Sequence, residues 1–266
     1  MALRLLSAVL FLGSMAWPAG FDKPVSTKTI DLGPSGIAPQ ARTKITCYWF
    51  ARFMVKEVDL GEKGAARLAI VRGTKKNVPD CTRLHDRTEV AVNPDDWSGY
   101  FKGVKGNLVF FDADDGWNGG MGFAVYDAKT GKKIFDDVAL GDLDISDAQA
   151  PEAGITVRYA RVVDGGCIVP KEADACWDKI TLRFALRSAT APDCKAAYEK
   201  SAQALAKGRC QAQNTDNAEC LDKEIALARQ QTGNANSILA YPVEIVLGAN
   251  PTIKPVTGDL QCWPSD

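Results

Sequence analysis

Eight cysteines set the covalent framework of this chain. They are Cys47, Cys81, Cys167, Cys176, Cys194, Cys210, Cys220 and Cys262. An even number of cysteines in an oxidising compartment predicts disulfides, and the sequence alone permits on the order of a hundred pairings. Zinc is the rival interpretation, but the chain has no C-x-x-C motif and one histidine. We therefore expect disulfides rather than a thiolate metal site.

Two pairings have local support. Cys167 and Cys176 bracket a loop between two predicted strands, and Cys210 and Cys220 bracket a predicted turn between helices. Closing such a short loop contributes about 2.5 to 3 kcal/mol in the loop-entropy model. The other four cysteines remain for longer bridges. Because the tail around Cys262 lacks periodicity, we expect that residue to bridge back into the β domain.

The first twenty residues have the three-part pattern of a secretory signal peptide. Arg4 precedes an apolar run from Leu5 to about Met15, and small residues follow from Ala16 to Gly20. The apolar run is well short of the roughly 20 residues that a membrane-spanning helix needs. We expect export of the chain and cleavage somewhere within 16–20.

Charge and composition limit the compartments and the classes of partner that we expect for this protein. The formal net charge is −1, which gives no electrostatic reason to expect nucleic acid or an anionic membrane surface as a partner. No later segment is long and apolar enough to span a membrane. Asn250 precedes Pro251, and no other asparagine begins a glycosylation motif. These features favour a bacterial periplasmic or secreted protein.

Short runs of alternating hydrophobicity, separated by Gly, Pro, Asn and Asp, predict a mainly β fold of antiparallel strands. The predicted strands cover 45–55, 67–71, 89–92, 108–111, 122–126, 155–163, 179–187 and 238–247. Residues 21–43 show no sustained periodicity and are predicted to form an extended arm before one β-rich domain, 44–266. Pro242 predicts an edge position for the last of these strands, and the acidic run Asp136 to Asp147 is predicted to be a solvated loop.

A β-sandwich-like domain is the first choice of architecture, and a small or incomplete β-propeller is the alternative. The propeller is suggested by an echo between LVFFDADDG, from Leu108, and FAVYDAKTG, from Phe123. The echo is shorter than a propeller repeat of about 40 residues.

Helical spacing appears near the C-terminus. Cys194, Tyr198, Ala202 and Leu205 form one stripe that ends at Gly208, and a second helix is predicted to begin near Asp216 and to end before Gly233. Together they predict a helical hairpin over 192–232, inserted before the last strand.

Aromatic and acidic residues in two predicted loops are the candidate binding site. They are Trp97, Tyr100, Asp112, Asp114, Asp115, Trp117 and Asn118. Exposed rings beside carboxylates and amides can stack on sugars or anchor another protein. The acids suggest calcium, but their spacing does not fit an EF-hand, and a hairpin turn capped by Asp112 with Gly116 at positive φ is the preferred interpretation. We expect the loops with Trp97 and Trp117 to lie at one end of the domain.

Catalytic patterns are sparse. His85 lies between arginines without a recognisable nucleophile and base arrangement, and we interpret it as a surface residue. Paired carboxylates could hydrolyse glycosides if two of them flanked a cleft roughly 5 to 9.5 Å apart. We predict no cofactor and no metal.

The sequence thus favours a non-enzymatic binding or interaction module of the cell envelope, with a carbohydrate or another envelope protein as partner. The alternatives are a carboxylate-dependent hydrolase of the glycoside type and a secreted enzyme inhibitor.

Overall fold

A computed structural model describes residues 20–37, 40–73, 79–82, 87–147, 154–186, 190–214, 218–248 and 250–266. Apart from Gly20, the predicted signal peptide lies outside these ranges, as do His85 and Asp216. The strands are β1 (Ser26–Pro34), β2 (Arg42–Trp49), β3 (Phe53–Asp59), β4 (Arg67–Arg72), β5 (Glu89–Ala91), β6 (Gly99–Lys105), β7 (Leu108–Trp117), β8 (Gly120–Asp127), β9 (Lys133–Asp147), β10 (Ile155–Asp164), β11 (Ser237–Leu247), β12 (Thr252–Pro255) and β13 (Gln261–Pro264). The helices are α1 (Val169–Arg183), α2 (Cys194–Ala212) and α3 (Ala218–Thr232).

Two antiparallel sheets form the fold, which confirms the predicted mainly β class. One sheet has the order β1-β2-β3-β4-β5, and the other has the order β12-β11-β10-β9-β8-β7-β6, with β13 also paired to β11. Phe53, Val55 and Ile70 of the first sheet share a buried cluster with Phe111 and Ala124 of the second. The sheets therefore pack as a sandwich over β6 to β8, and the second sheet continues beyond the first.

The helices cover the other face of the second sheet. Cys176 and Ile180 of α1 and Tyr198 of α2 join its largest apolar cluster, and α3 packs on α2 through small residues that include Ala202 and Ala228. In the parts of the chain that the structure describes, no helix has the length and apolar character needed to cross a bilayer. The helical hairpin near the C-terminus is formed by α2 and α3, and α2 continues past Gly208 to Ala212.

The segment predicted as one strand over 45–55 is a hairpin. β2 ends at Trp49 and β3 begins at Phe53, with the Phe50 N–H bonded to the Phe53 carbonyl. Ile45 faces the outer cluster of the first sheet, whereas Val55 faces the inner one. Because both faces of this sheet are apolar, the alternation of apolar residues in the sequence continues through the two-residue turn. The odd-numbered residues lie on the outer face in β2 and on the inner face in β3.

The predicted strand over 179–187 was also wrong, since it falls largely within α1 and the residues that follow it. Its alternation of apolar residues is not an alternation of burial, because Leu182 is 71% exposed while Ile180 is buried. Cys176 and Ile180 are spaced four apart and face the core together, and Pro170 lies in the first turn. Tertiary burial at helical spacing overrides the strand propensity of this segment.

Two further expectations are corrected. The acidic run Asp136 to Asp147 belongs to strand β9 rather than to a loop. β11 is flanked by β10 on one side and by β12 and β13 on the other, so it is not an edge strand. Pro242 is tolerated because it lies between the end of the β13 pairing at Ala240 and the start of the β12 pairing at Val243.

All eight cysteines form disulfides, and both short-range pairs join the predicted partners. The disulfide Cys167–Cys176 joins the segment before α1 to a residue within α1, whereas the sequence predicted a loop between two strands. Cys47 pairs with Cys81, and Cys262 pairs with Cys194 at the start of α2, which corrects the expected bridge to the β domain. The tail is therefore attached to a helix that lies 68 residues earlier in the chain.

The segment predicted as an extended arm contributes to both sheets. Ser26–Pro34 forms β1, which pairs with β2. Further upstream, the ring of Phe21 packs edge-on against Phe110 with ring centroids 5.3 Å apart, and the Asp22 carboxylate accepts the Gly106 N–H at 2.6 Å. Residues 21–34 thereby connect the β6–β7 turn of one sheet to the edge of the other.

Candidate functional site

The β7–β8 hairpin presents an indole ring at its tip. Its two turn residues, Asn118 and Gly119, have φ values of 47° and 81°, as a type I′ turn requires, and Asn-Gly is the favoured sequence for that turn. Trp117 and Gly120 are the closing pair. Trp117 is therefore displayed beside the turn, and it is 44% exposed.

The surroundings of Gly120 show on which face of the sheet Trp117 lies. A Cβ atom at Gly120 would lie 2.6 Å from the Val138 Cγ1 and 2.8 Å from the Val162 Cγ2. Paired residues on antiparallel strands point to the same face of a sheet. Trp117 thus lies on the face that carries Val138 and Val162.

A second tryptophan lies on this face. Trp263 of β13 pairs with Ile238, and its Nε1–H donates to the Asn118 carbonyl at 3.0 Å. The Asp266 N–H donates to the Asn118 Oδ1 at 2.9 Å. The C-terminal strand therefore holds the hairpin tip in place through Asn118.

We call this region the indole face. It comprises Trp117, Trp263, Val138, Leu140 and Ala160. Except for Trp117, these residues are half-buried, and they lie over Val162, Ile238 and Ala240, which are buried. The cluster is separate from the one between the two sheets, so it belongs to the part of the second sheet that extends past the first.

Trp97 and Trp117 come from the same end of the sheet, because β6 begins where Gly99 pairs with Ala113, shortly before β7 ends at Trp117. Their environments differ. Trp97 is half-buried, packs against the cluster between the sheets and donates its Nε1–H to the Asp112 carbonyl at 3.3 Å. Its ring therefore stabilises the sandwich, and Trp117 is the exposed indole of the pair.

Tyr100 and Asp112 both make polar contacts within the protein. The Tyr100 hydroxyl accepts the Gly64 N–H at 2.6 Å and donates to the Glu62 carbonyl at 3.4 Å. The Asp112 carboxylate accepts from the Lys102 Nζ at 2.7 Å. Asp112 is thus a strand residue in an ion pair, and the predicted turn cap is found instead at Asp127, which accepts the Lys129 N–H.

Asp115 and Asp114 face the β3–β4 turn. Asp115 pairs with Lys63, and the hydrogen bond from Lys63, followed by that from the Gly116 N–H, lowers the pKa of the Asp115 carboxyl. A Cβ at Gly64 would lie 2.9 Å from the Asp114 Cβ, so this turn packs directly against Asp114. Within the described ranges, no cluster of three or more Asp, Glu, His or Cys side chains could hold a metal ion. Gly116, predicted to adopt positive φ, does not do so; Asn118 and Gly119 do.

Trp263 is the residue of this surface that sequence reasoning missed. Its signal was the adjacent Cys262, since a disulfide at one residue of a tail fixes the position of the next. The pairing with Cys194 was needed to place that tail beside β11.

Glu57 of β3 makes a pH-dependent contact between the two sheets. Its carboxylate faces the space between the sheets and accepts the Phe101 N–H at 2.8 Å. Burial, with a smaller contribution from Asp59, raises the pKa of Glu57, while the Phe101 N–H opposes the shift. A raised folded-state pKa means that the folded state binds the proton more tightly, so this group's contribution to stability falls as pH rises through that pKa.

We expect Glu57→Gln, which keeps an acceptor for Phe101, to be more stable than wild type at pH 7, by about 1 kcal/mol or less. The advantage should shrink between pH 7 and pH 4, because the wild-type carboxyl gains its proton as the pH falls through its raised pKa. Urea unfolding at both pH values measures it, with exposed Glu62→Gln as the control. A Gln variant that is less stable at pH 7 would contradict the assignment.

The chain matches no protein-family model, no curated protein and no solved structure.

Proposed function

We propose that this protein is a non-enzymatic binding module of the cell envelope that docks a partner protein on the indole face. The observation that carries the proposal is Trp117, 44% exposed on a hairpin that Asn118 ties to the C-terminal strand. A large ring held in one position loses little conformational entropy on binding, and tryptophan is among the commonest binding hot spots.

The surroundings of Trp117 are arranged like a protein interface. Apolar side chains of Val138, Leu140 and Trp263 continue the surface on one side, and the ion pair between Asp115 and Lys63 lies on the other. An apolar centre bordered by charged groups is the usual anatomy of a protein–protein interface.

A carbohydrate is the second partner that the exposed ring could bind. Sugar recognition needs free acceptors and donors around the stacked ring. Asp112 and Asp115 are already paired with Lys102 and Lys63, and the other residues of the indole face are apolar. These contacts favour a protein partner over a polysaccharide.

The hydrolase alternative draws less support from the geometry. A glycosidase needs two carboxylates flanking one cleft, and the cavity next to Tyr241 includes one carboxylate, Asp259, among its described lining residues. The smaller cavity beside Trp177 has two, Asp174 and Asp193, but Asp193 is occupied as the cap of α2, where it accepts the Ala196 N–H at 3.2 Å. Enzyme inhibition would be one form of the proposed binding, with an enzyme as the docked partner.

The test compares wild type, Trp117→Ala and Leu227→Ala as baits in a crosslinking capture from cell-envelope and culture fractions, followed by affinity measurement on the purified partner. Leu227 is a matched control because it is 48% exposed on α3. We expect Trp117→Ala to weaken partner binding about 30-fold or more and to change the free energy of unfolding by less than about 0.5 kcal/mol.

Three results distinguish the alternatives. Loss of the same protein with Trp117→Ala but not with Leu227→Ala supports the proposal. Binding of a purified envelope polysaccharide that depends on Trp117 would replace the protein partner with a carbohydrate. Equal capture by all three baits, or a loss of about 3 to 5 kcal/mol of stability that reveals a core role for the ring, would overturn the indole face as the binding surface.

A further inference from the structure

A concave region separate from the indole face lies beside the connection between α1 and α2. It is a cavity of about 490 Å³ whose walls include Leu186, Tyr241, Pro242, Pro255, Asp259 and Leu260. This volume falls within the range of roughly 300 to 1,000 Å³ typical of small-molecule sites. None of its walls belongs to the indole face.

The walls of this cavity are held together before any ligand arrives. The disulfide Cys194–Cys262 joins the segment after Pro192 to the segment after Leu260, so it links two segments of the lining covalently. The Val256 N–H donates to the Pro242 carbonyl at 3.0 Å, and the Leu186 N–H donates to the Thr181 carbonyl at 2.9 Å. A preformed pocket avoids much of the ordering cost of binding.

The Tyr241 ring is fixed as part of the cavity wall. Tyr241 is 2% exposed, and it pairs with Arg161 across strands β10 and β11. Arg161 pairs with Asp137 at 2.8 Å, and Asp137 accepts the Tyr159 hydroxyl at 2.6 Å. The Tyr241 ring also packs against Phe184 with ring centroids 6.0 Å apart, so its position in the cavity wall is fixed.

The polar groups of the lining include backbone carbonyls, the Thr190 and Thr257 hydroxyls and one carboxylate. Pro192, Pro242 and Pro255 contribute no N–H, and the N–H groups of Leu186 and Val256 are already bonded. Asp259 adds an exposed carboxylate without an ion-pair partner among the described residues, and no described lysine or arginine lines the cavity. A ligand with a positive charge for Asp259 and an apolar body for the apolar walls would match this lining.

We propose that this cavity binds an organic cation, a primary amine with a compact apolar or aromatic body. The ammonium group lies against Asp259, and the body packs among Leu186, Leu260 and the Tyr241 ring. This site is independent of the proposed docking of a protein on the indole face.

The test is a nuclear magnetic resonance titration of the ¹⁵N-labelled protein with phenethylamine and with its neutral analogue 2-phenylethanol. We expect the amine to shift the amide signals of Gly258, Asp259 and Leu260 and to bind more tightly than the alcohol. Asp259→Asn should weaken amine binding about fivefold, the size expected for a partly exposed ion pair. Asp144→Asn, an exposed acid on β9 outside the cavity, is the control and should leave binding unchanged.

A second variant, Thr257→Phe, places a ring at the mouth of the cavity from an exposed loop position and should abolish binding while the protein stays folded. Unshifted cavity amides, equal affinity for the amine and the alcohol, or binding that survives both Asp259→Asn and Thr257→Phe would each overturn the proposal.

Discussion

Glu89→Ala is expected to lower the free energy of unfolding by about 3 to 5 kcal/mol. The Glu89 side chain is 3% exposed and bonds the Lys56 Nζ at 2.6 Å, and the Lys56 side chain is 1% exposed. Arg67 contacts the other carboxylate oxygen. Removing the carboxylate leaves a buried ammonium group with one fewer anion near it, and desolvating an unpaired charge is among the largest single penalties in a folded protein.

Urea unfolding measures the loss, and two variants show where it comes from. Glu89→Gln keeps a hydrogen-bond acceptor but not the charge, so we expect it to be less damaging than Glu89→Ala and still clearly destabilising. Glu199→Ala removes the exposed pair with Arg229 and should cost less than about 1 kcal/mol. Equal costs for Glu89→Ala and Glu199→Ala would show that burial does not amplify the Lys56–Glu89 pair.

Replacing both Cys194 and Cys262 with serine is expected to cost about 4 kcal/mol, because the disulfide closes a 68-residue separation and loop entropy rises with the length that is closed. The corresponding double replacement of Cys167 and Cys176, which lie nine residues apart, should cost about 2.5 kcal/mol. Thermal unfolding of the two double variants under identical buffer conditions tests this order.

The Cys194–Cys262 variant makes a second measurement possible. Because this disulfide joins two segments that line the cavity beside Tyr241, its loss should weaken phenethylamine binding, whereas the Cys167–Cys176 variant should retain it. A Cys194–Cys262 variant that is as stable as wild type would mean that the non-covalent contacts of β13 with β11 already determine the position of the tail.

Local patterns predicted the parts of the fold in which near neighbours in sequence are also neighbours in space. The α2–α3 hairpin follows from apolar spacing and from Cys210 and Cys220, and both short-range disulfides join residues that a turn must bring together. The Asn118–Gly119 turn likewise carries its own conformational requirement, although the residues before it were interpreted as the turn.

Sequence periodicity failed at two elements, because both faces of one are buried and because distant packing decides the structure of the other. The turn after Trp49 was invisible because apolar residues alternate on both sides of it, and the strand predicted over 179–187 contains residues that pack at helical spacing on a distant sheet. The longer disulfides, Cys47–Cys81 and Cys194–Cys262, depend on contacts that no local pattern encodes.

The sequence likewise predicted only part of the candidate site. Aromatic and acidic residues around 97–118 marked a region of interest from the sequence, but the sequence could not distinguish a ring in the core from a ring on the surface. Tertiary packing placed Trp97 between the sheets, paired Asp112 and Asp115 with lysines, and left Trp117 exposed next to the turn that Trp263 contacts. The physical reason is that residue type sets what a side chain can contact, whereas the long-range pairing of strands decides which contacts are within reach.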